Sequence, residues 1–353
     1  MRDRLPAAAA LAALIAAAGI AGFMLSARLP TRSPSSSVPP VVQTPVTGSC
    51  RIAPSSETHL SSTSPASVPS RPLSEGLDSV VDDPATRQVL LFGSLNEDST
   101  WLWGGTRWIL ARPARSPSPR FYPAAAYNPL SRQVMLYGGR LANGDAACDT
   151  WAWTGSTWVE LNNGNSQLPA GELAAMAWDA SRQEMFLVTH EVSGLATWVW
   201  RDGWVSQSQG ALSGLWASGV VYDSASRSLL MVASGSPPSN AATWRWDGTR
   251  WVPLAGHTPT TWLGSMALDP STDQALLFPE PGDSGTPGTL WRWDASDWTP
   301  VPQSTQPSVG ASEIVTTGEH GDLLLVGSLA SVQSAPQALH VWMWLRRGWQ
   351  LVG

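Results

Sequence analysis

Eighteen of the chain's 21 tryptophans fall into six triplets: Trp101/Trp103/Trp108, Trp151/Trp153/Trp158, Trp198/Trp200/Trp204, Trp244/Trp246/Trp251, Trp291/Trp293/Trp298 and Trp342/Trp344/Trp349. The first tryptophans stand 50, 47, 46, 47 and 51 residues apart, so a unit of about 48 residues recurs six times. A spacing of two puts both indoles of W-x-W on one face of an extended strand, and no helix would do so. Repetition in phase is what packing between like units requires, so these 18 indoles read as core rather than as a binding or redox array.

Each unit reads as four short strands. The first ends at a turn rich in Asp, Asn and Pro: Ser79 to Val81 before Asp83-Pro84, Ala124 to Tyr127 before Asn128-Pro129, Ala174 to Trp178 before Asp179, Val220 to Tyr222 before Asp223, and Met266 to Leu268 before Asp269-Pro270. The second is a continuous apolar run such as Val89 to Phe92, Val134 to Tyr137 or Leu323 to Val326, which suits a strand covered on both faces. The third carries W-x-W and the fourth the last tryptophan, joined by hairpin turns at Gly104-Gly105, Thr154-Gly155, Asp202-Gly203 and Asp247-Gly248. Six four-stranded units with two-sided burial predict an all-β, six-bladed propeller.

Blade two carries the fullest motif: Pro119-Arg120, Ala124 to Asn128, Val134 to Tyr137 followed by Gly138-Gly139, Asp149-Thr150-Trp151-Ala152-Trp153, and Trp158. This pattern resembles the kelch and galactose-oxidase-like propellers, and in particular bacterial kelch-type repeats ending D-T-W-x-W-x-G-x-x-W. The resemblance spans about residues 78 to 353 and implies a fold without naming a ligand. The double glycine is whole only at Gly138-Gly139, shrinks to Gly93-Ser94 and Gly327-Ser328, and is missing from blades three to five. Ring closure is expected from blade one packing on blade six, or from a strand added by the segment before Asp78.

The propeller is expected to be the last of three regions. Residues 1–28 combine Arg2 and Arg4 with an apolar run, Leu5 to Leu25, long enough to span a bilayer. They read as a cytoplasmic stub and signal-anchor transmembrane helix, with a cleaved signal peptide as the alternative. Residues 29–77 read as a disordered stalk, since 27 of the 46 residues from Leu29 to Ser74 are Pro, Ser or Thr. Residues 78–353 form the propeller, placed outside the cytoplasm and tethered to the membrane, or secreted if the leader is cleaved.

Composition excludes several chemistries. The chain has no lysine, so lysine Schiff bases and the Walker A lysine are out. A formal charge of −6 with scattered arginines gives no footprint for nucleic acid. The copper site of galactose oxidase would need a tyrosine joined to a cysteine and histidine ligands. Here three of the four tyrosines sit at or beside repeat positions, and the histidines, at 59, 190, 257, 320 and 340, lack metal-binding spacing. Neither S-x-D-x-G-x-T-W nor G-x-S-x-G occurs. No metal, cofactor or catalytic residue is therefore expected.

Binding is the remaining possibility. Phe121 and Trp216 stand six residues before the aromatics of strand one, and Trp262 six before Leu268, at the entry to the innermost strand. The loops between strands two and three, including Gly138 to Thr150 and Thr189 to Thr197, are expected to be long and to share that end of the ring. Their charges are Asp98, Arg140, Asp145, Glu191, Glu280 and Asp283. Phe121, Trp216, Trp262 and Arg140 are the candidate ligand contacts. The expected role is a non-catalytic scaffold binding an extracytoplasmic protein through this loop face. The alternative is a lectin-like binder of cell-envelope glycan, and an enzyme with a scattered active site comes third. Cys50 and Cys148 either pair, clamping the stalk to the ring at a gain on the order of 4 kcal/mol, or remain two free thiols.

Overall fold

The computed structural model describes residues 56–57, 72–74, 79–93, 98–161, 173–191, 193–235, 241–259, 264–269, 271–279, 288–318, 321–329, 337–345 and 347–353. The expected membrane span, Cys50 and Trp262 lie outside them. Among the described residues no helix is long and apolar enough to cross a membrane, and the regular structure is all β.

Six four-stranded antiparallel sheets follow one another along the chain. Blade one comprises Ser79–Asp83, Gln88–Phe92, Thr100–Trp103 and Trp108–Ala111. Blade two comprises Ala124–Asn128, Gln133–Tyr137, Thr150–Trp153 and Trp158–Glu160. Blade three comprises Ala175–Asp179, Glu184–Glu191, Gly194–Trp200 and Trp204–Ala211. Blade four comprises Leu215–Asp223, Ser228–Gly235, Ala242–Trp246 and Trp251–Pro253. Blade five comprises Gly264–Leu268, Ala275–Pro279, Trp291–Trp293 and Trp298–Pro300. Blade six comprises Val309–Thr316, Leu323–Leu329, His340–Leu345 and Gly348–Leu351. The first strands of successive blades adjoin all round, blade six to blade one included, which makes a closed six-bladed propeller.

The repeats explain the packing. Strand one ends on a side chain that holds its own turn: Asp83, Asn128, Asp179, Asp223 and Asp269 each accept a backbone N–H two or three residues on. Strand two is buried on both faces because its alternate residues serve two seams. Leu90 and Phe92 join the cluster between blades one and two, whereas Val89 and Leu91 join that between blades six and one. The second and third tryptophans of each triplet face one another across the outer hairpin, as Trp103 does Trp108 and Trp344 does Trp349. Their ring centroids lie 5.5 and 5.2 Å apart. Six apolar clusters result, each drawn from two neighbouring blades.

Every blade is a contiguous stretch of chain, so closure rests on contacts between the first and last blades. The Val80 N–H donates to Glu313 Oε2 at 3.0 Å and the Gly318 N–H to Asp82 Oδ2 at 2.8 Å. The chain ahead of blade one also contributes. Leu73–Ser74 pairs with Gln337–Ala338, and the Leu339 N–H donates to the Pro72 carbonyl at 3.0 Å. A second dipeptide in that region, Ser56–Glu57, pairs with Arg115–Ser116. Two pieces of the segment expected to be a free stalk are thus strands laid on the propeller.

One expected loop is not a loop. In blade three, strands two and three continue to Glu191 and Gly194, which pair directly, so the stretch from Thr189 to Thr197 is a hairpin extension. Its Thr189, Leu195, Ala196 and Thr197 are all buried, the continuous burial of strands covered on both faces and not that of a solvated loop.

Candidate functional site

The start of strand one and the end of strand two meet at one end of each blade, and the side chains there in blades two to four form the candidate site. In blade two the anchor is an ion pair. Arg120 and Asp149 are wholly buried and bidentate, Nη1 donating to Oδ1 at 2.6 Å and Nη2 to Oδ2 at 2.8 Å. Arg120 also donates to the Gly138 and Ser118 carbonyls, and the Trp151 indole donates to Asp149 Oδ2 at 2.7 Å. With its donors shared among these oxygens, the buried charge is compensated and the long blade-two loop is fixed in place.

On that anchor Arg120–Phe121 pairs antiparallel with Arg140–Leu141, so Phe121 and Arg140 are ladder partners at the rim. Both are half-buried, and the Phe121 ring meets Tyr122 edge-on at 6.0 Å between centroids. Gly139 is required here. Its φ is +97°, and a Cβ would lie 2.6 Å from the Phe121 carbonyl oxygen. Cys148 is buried in the same loop and disulfide-bonded. Cys50, the chain's other cysteine, lies outside the described residues.

Blade three adds Glu191 and His190. Burial raises the Tyr137 hydroxyl well above its usual range, and the charges of Asp149 and Glu191 raise it further. Burial likewise raises the Glu191 carboxyl and lowers the His190 imidazole. Blade four supplies Trp216, half-buried near the start of its first strand. Its ring stacks on His190, centroids 5.3 Å apart and planes 30° from parallel. The histidine belongs to the hairpin extension, so its reach toward Trp216 depends on the strands that replace the expected loop.

Phe121, Arg140 and Trp216 thus share one end of the propeller but sit on different blades, Phe121 with Arg140 on blade two and Trp216 against blade three. Trp178 is half-buried against the cluster between blades two and three. Sequence reading left His190 and Glu191 as ordinary loop residues, and no spacing marks His190 as the partner of Trp216. Among the described residues no three His, Cys, Asp or Glu side chains cluster to hold a metal ion. Trp216, Glu191 and Arg140 thus place an aromatic face, a carboxylate and a guanidinium at this end of the ring, on three successive blades.

No protein-family model matches the sequence, and no curated protein matches it. Solved structures do share its fold. The SapL1 lectin in complex with alpha methyl fucoside is similar at a TM-score of 0.58 and 12% identity, over 79% of this chain and 96% of that one. The fucose-specific lectin from Aleuria aurantia is similar at 0.56 and 13%, over 80% and 96%. YjhT is similar at 0.54 and 10%, over 80% and 98%. At such identities the likeness is one of architecture, the β-propeller.

Proposed function

We propose that the protein is a carbohydrate-binding, lectin-like propeller without catalytic activity. The observation that carries this reading is the Trp216 ring, half-buried and stacked on His190 at the rim of the blades. An aromatic face covers the C–H face of a sugar ring, while Glu191 and Arg140 supply acceptor and donor for hydroxyls. Aromatics half-buried at the rim, rather than sunk in the core, put the glycan reading ahead of the protein scaffold suggested by the loops alone. Two of the similar structures are lectins, which supports the same choice.

Within this reading the propeller is of kelch type, as the D-T-W-x-W ending and Gly138-Gly139 suggest, and is held outside the cytoplasm by the apolar run from Leu5 to Leu25. Its ligand is then a cell-envelope or extracellular glycan. The test is a screen of the full-length chain against immobilised glycans and wall polymers. Binding that Trp216→Ala removes supports the proposal, and a folded chain that binds none of them contradicts it.

A further inference from the structure

Five of the six seams between blades are crossed by the chain itself, and the seam between blades six and one is not. The first strands touch most sparsely there, and the Trp108 indole, buried in the cluster at that seam, has no hydrogen-bond partner. The chain ahead of blade one meets the ring at two described places. Leu73–Ser74 pairs with Gln337–Ala338 in the blade-six loop, and Ser56–Glu57 pairs with Arg115–Ser116 in the connection from blade one to blade two. That connection is itself fixed to both blades. The Arg115 guanidinium donates to Glu160 Oε2 of blade two at 2.7 Å and its backbone N–H to Thr157 Oγ1 at 3.2 Å, while the Ser116 hydroxyl donates to the Asp98 carbonyl of blade one at 2.9 Å.

Ladders of two residues are too short to offset the entropy lost in ordering the chain that forms them. A covalent pin supplies what they lack. Cys148 is wholly buried in the blade-two loop and disulfide-bonded, and Cys50 is the chain's only other cysteine. Within one chain the bond therefore ties a point shortly before Ser56 to blade two. The other end of the segment is pinned at Ser79, where blade one begins. Held at both ends, the segment keeps its two ladders at high effective concentration, one of them on blade six beyond the uncrossed seam.

We propose that a Cys50–Cys148 disulfide turns the segment ahead of blade one into a strap that holds blade six on blade one, so that the ring closes fully only after oxidation. In the bond-forming step the two thiols exchange with a disulfide oxidant. An S–S bond forms between Cys50 and Cys148, the oxidant's S–S bond breaks, and the oxidant leaves as two thiols carrying both protons and both electrons. With Cys148 wholly buried, the bond once made is shielded from thiols by the closed ring, so its state is set while the chain folds. This device stands apart from the carbohydrate reading of the Trp216 shelf.

The test reduces the full-length chain in denaturant and refolds it with either oxidised glutathione or dithiothreitol, beside Cys50→Ser refolded with oxidised glutathione. Trypsin cuts this lysine-free chain only at arginine, so the expected bond joins peptides 33–51 and 141–182 within a monomer. Amide exchange then reads the seam. The Val80 and Gly318 N–H groups, bonded across it to Glu313 and Asp82, should exchange about tenfold or more faster in the dithiothreitol-refolded chain and in Cys50→Ser than in the oxidised chain. The Ile314 N–H, bonded to Ser265 across the seam between blades five and six, should not change. Equal rates at Val80 and Gly318 in the oxidised and reduced chains overturn the proposal, as do free thiols at Cys50 and Cys148 or a bond between two chains. Loss of protection at all three amides alike makes the bond a requirement of the whole fold and overturns a role specific to the seam.

Discussion

The indole of Trp251 donates its N–H to the Thr197 hydroxyl of the preceding blade at 2.9 Å. The same bond joins Trp158 to Thr100, Trp204 to Thr150 and Trp298 to Thr243, at 2.8 to 3.0 Å. The threonine is the residue just before W-x-W, so in blades one to four this position stitches its blade to the next. Blades five and six carry Leu290 and Val341 there. Trp349 turns instead to Gln303 Oε1 at 2.8 Å, and Trp108, at the closing seam, has no partner.

Replacing Thr197 with valine keeps the shape and leaves the Trp251 N–H buried without an acceptor, which should cost about 1–3 kcal/mol. The reciprocal change, Val341→Thr, offers Trp108 an acceptor and should gain about 1 kcal/mol. Chemical denaturation of both variants checks the pair. Equal stability of Thr197→Val and wild type would remove the stitch from the account.

Asp149→Ala strands the Arg120 guanidinium in the interior and should destabilise by about 3–5 kcal/mol. It should also loosen the blade-two loop, so protease cleavage between Gly139 and Cys148 is the more local readout. A loop as resistant as wild type would mean that the ion pair does not hold it.

Gly139→Ala places a Cβ on a left-handed backbone against the Phe121 carbonyl, and should cost more than about 1 kcal/mol. The Phe121–Arg140 ladder should separate with it, visible as faster amide exchange at those residues.

Burial lifts the Asp82 carboxyl to about 6; the Gly318 N–H opposes the rise and the charge of Asp83 adds to it. The folded chain therefore holds this proton more tightly than the unfolded chain, whose carboxyl titrates near its usual value of about 4. Stability from this group is full at low pH and declines as pH climbs from about 4 to about 6. Asp82→Asn should flatten that decline in a Tm-against-pH series, and an unchanged slope would assign it to other groups.

The repeat was legible because tryptophan is rare and a spacing of two has one meaning in an extended chain. Five first strands announced themselves through the Asp or Asn that closes their turn. The sixth, Val309–Thr316, has Thr317-Gly318 at that point and no such side chain, so nothing in its sequence marks it. The Thr189–Thr197 hairpin was missed because its turn lies between Glu191 and Gly194 without Asn-Gly or Asp-Gly chemistry. Trp216 stood out by falling outside the triplets. Its partner His190 is brought to it by the packing of blade three on blade four, and no local pattern records such a contact.

The central claim is that the Trp216 shelf binds a sugar, and calorimetric titration of the full-length chain with the strongest glycan from a binding screen tests it most directly. Wild type should bind, and Trp216→Ala, folded as judged by near-ultraviolet circular dichroism, should bind at least about tenfold more weakly, a loss of about 1.4 kcal/mol or more. Equal affinity in the two proteins would contradict the account.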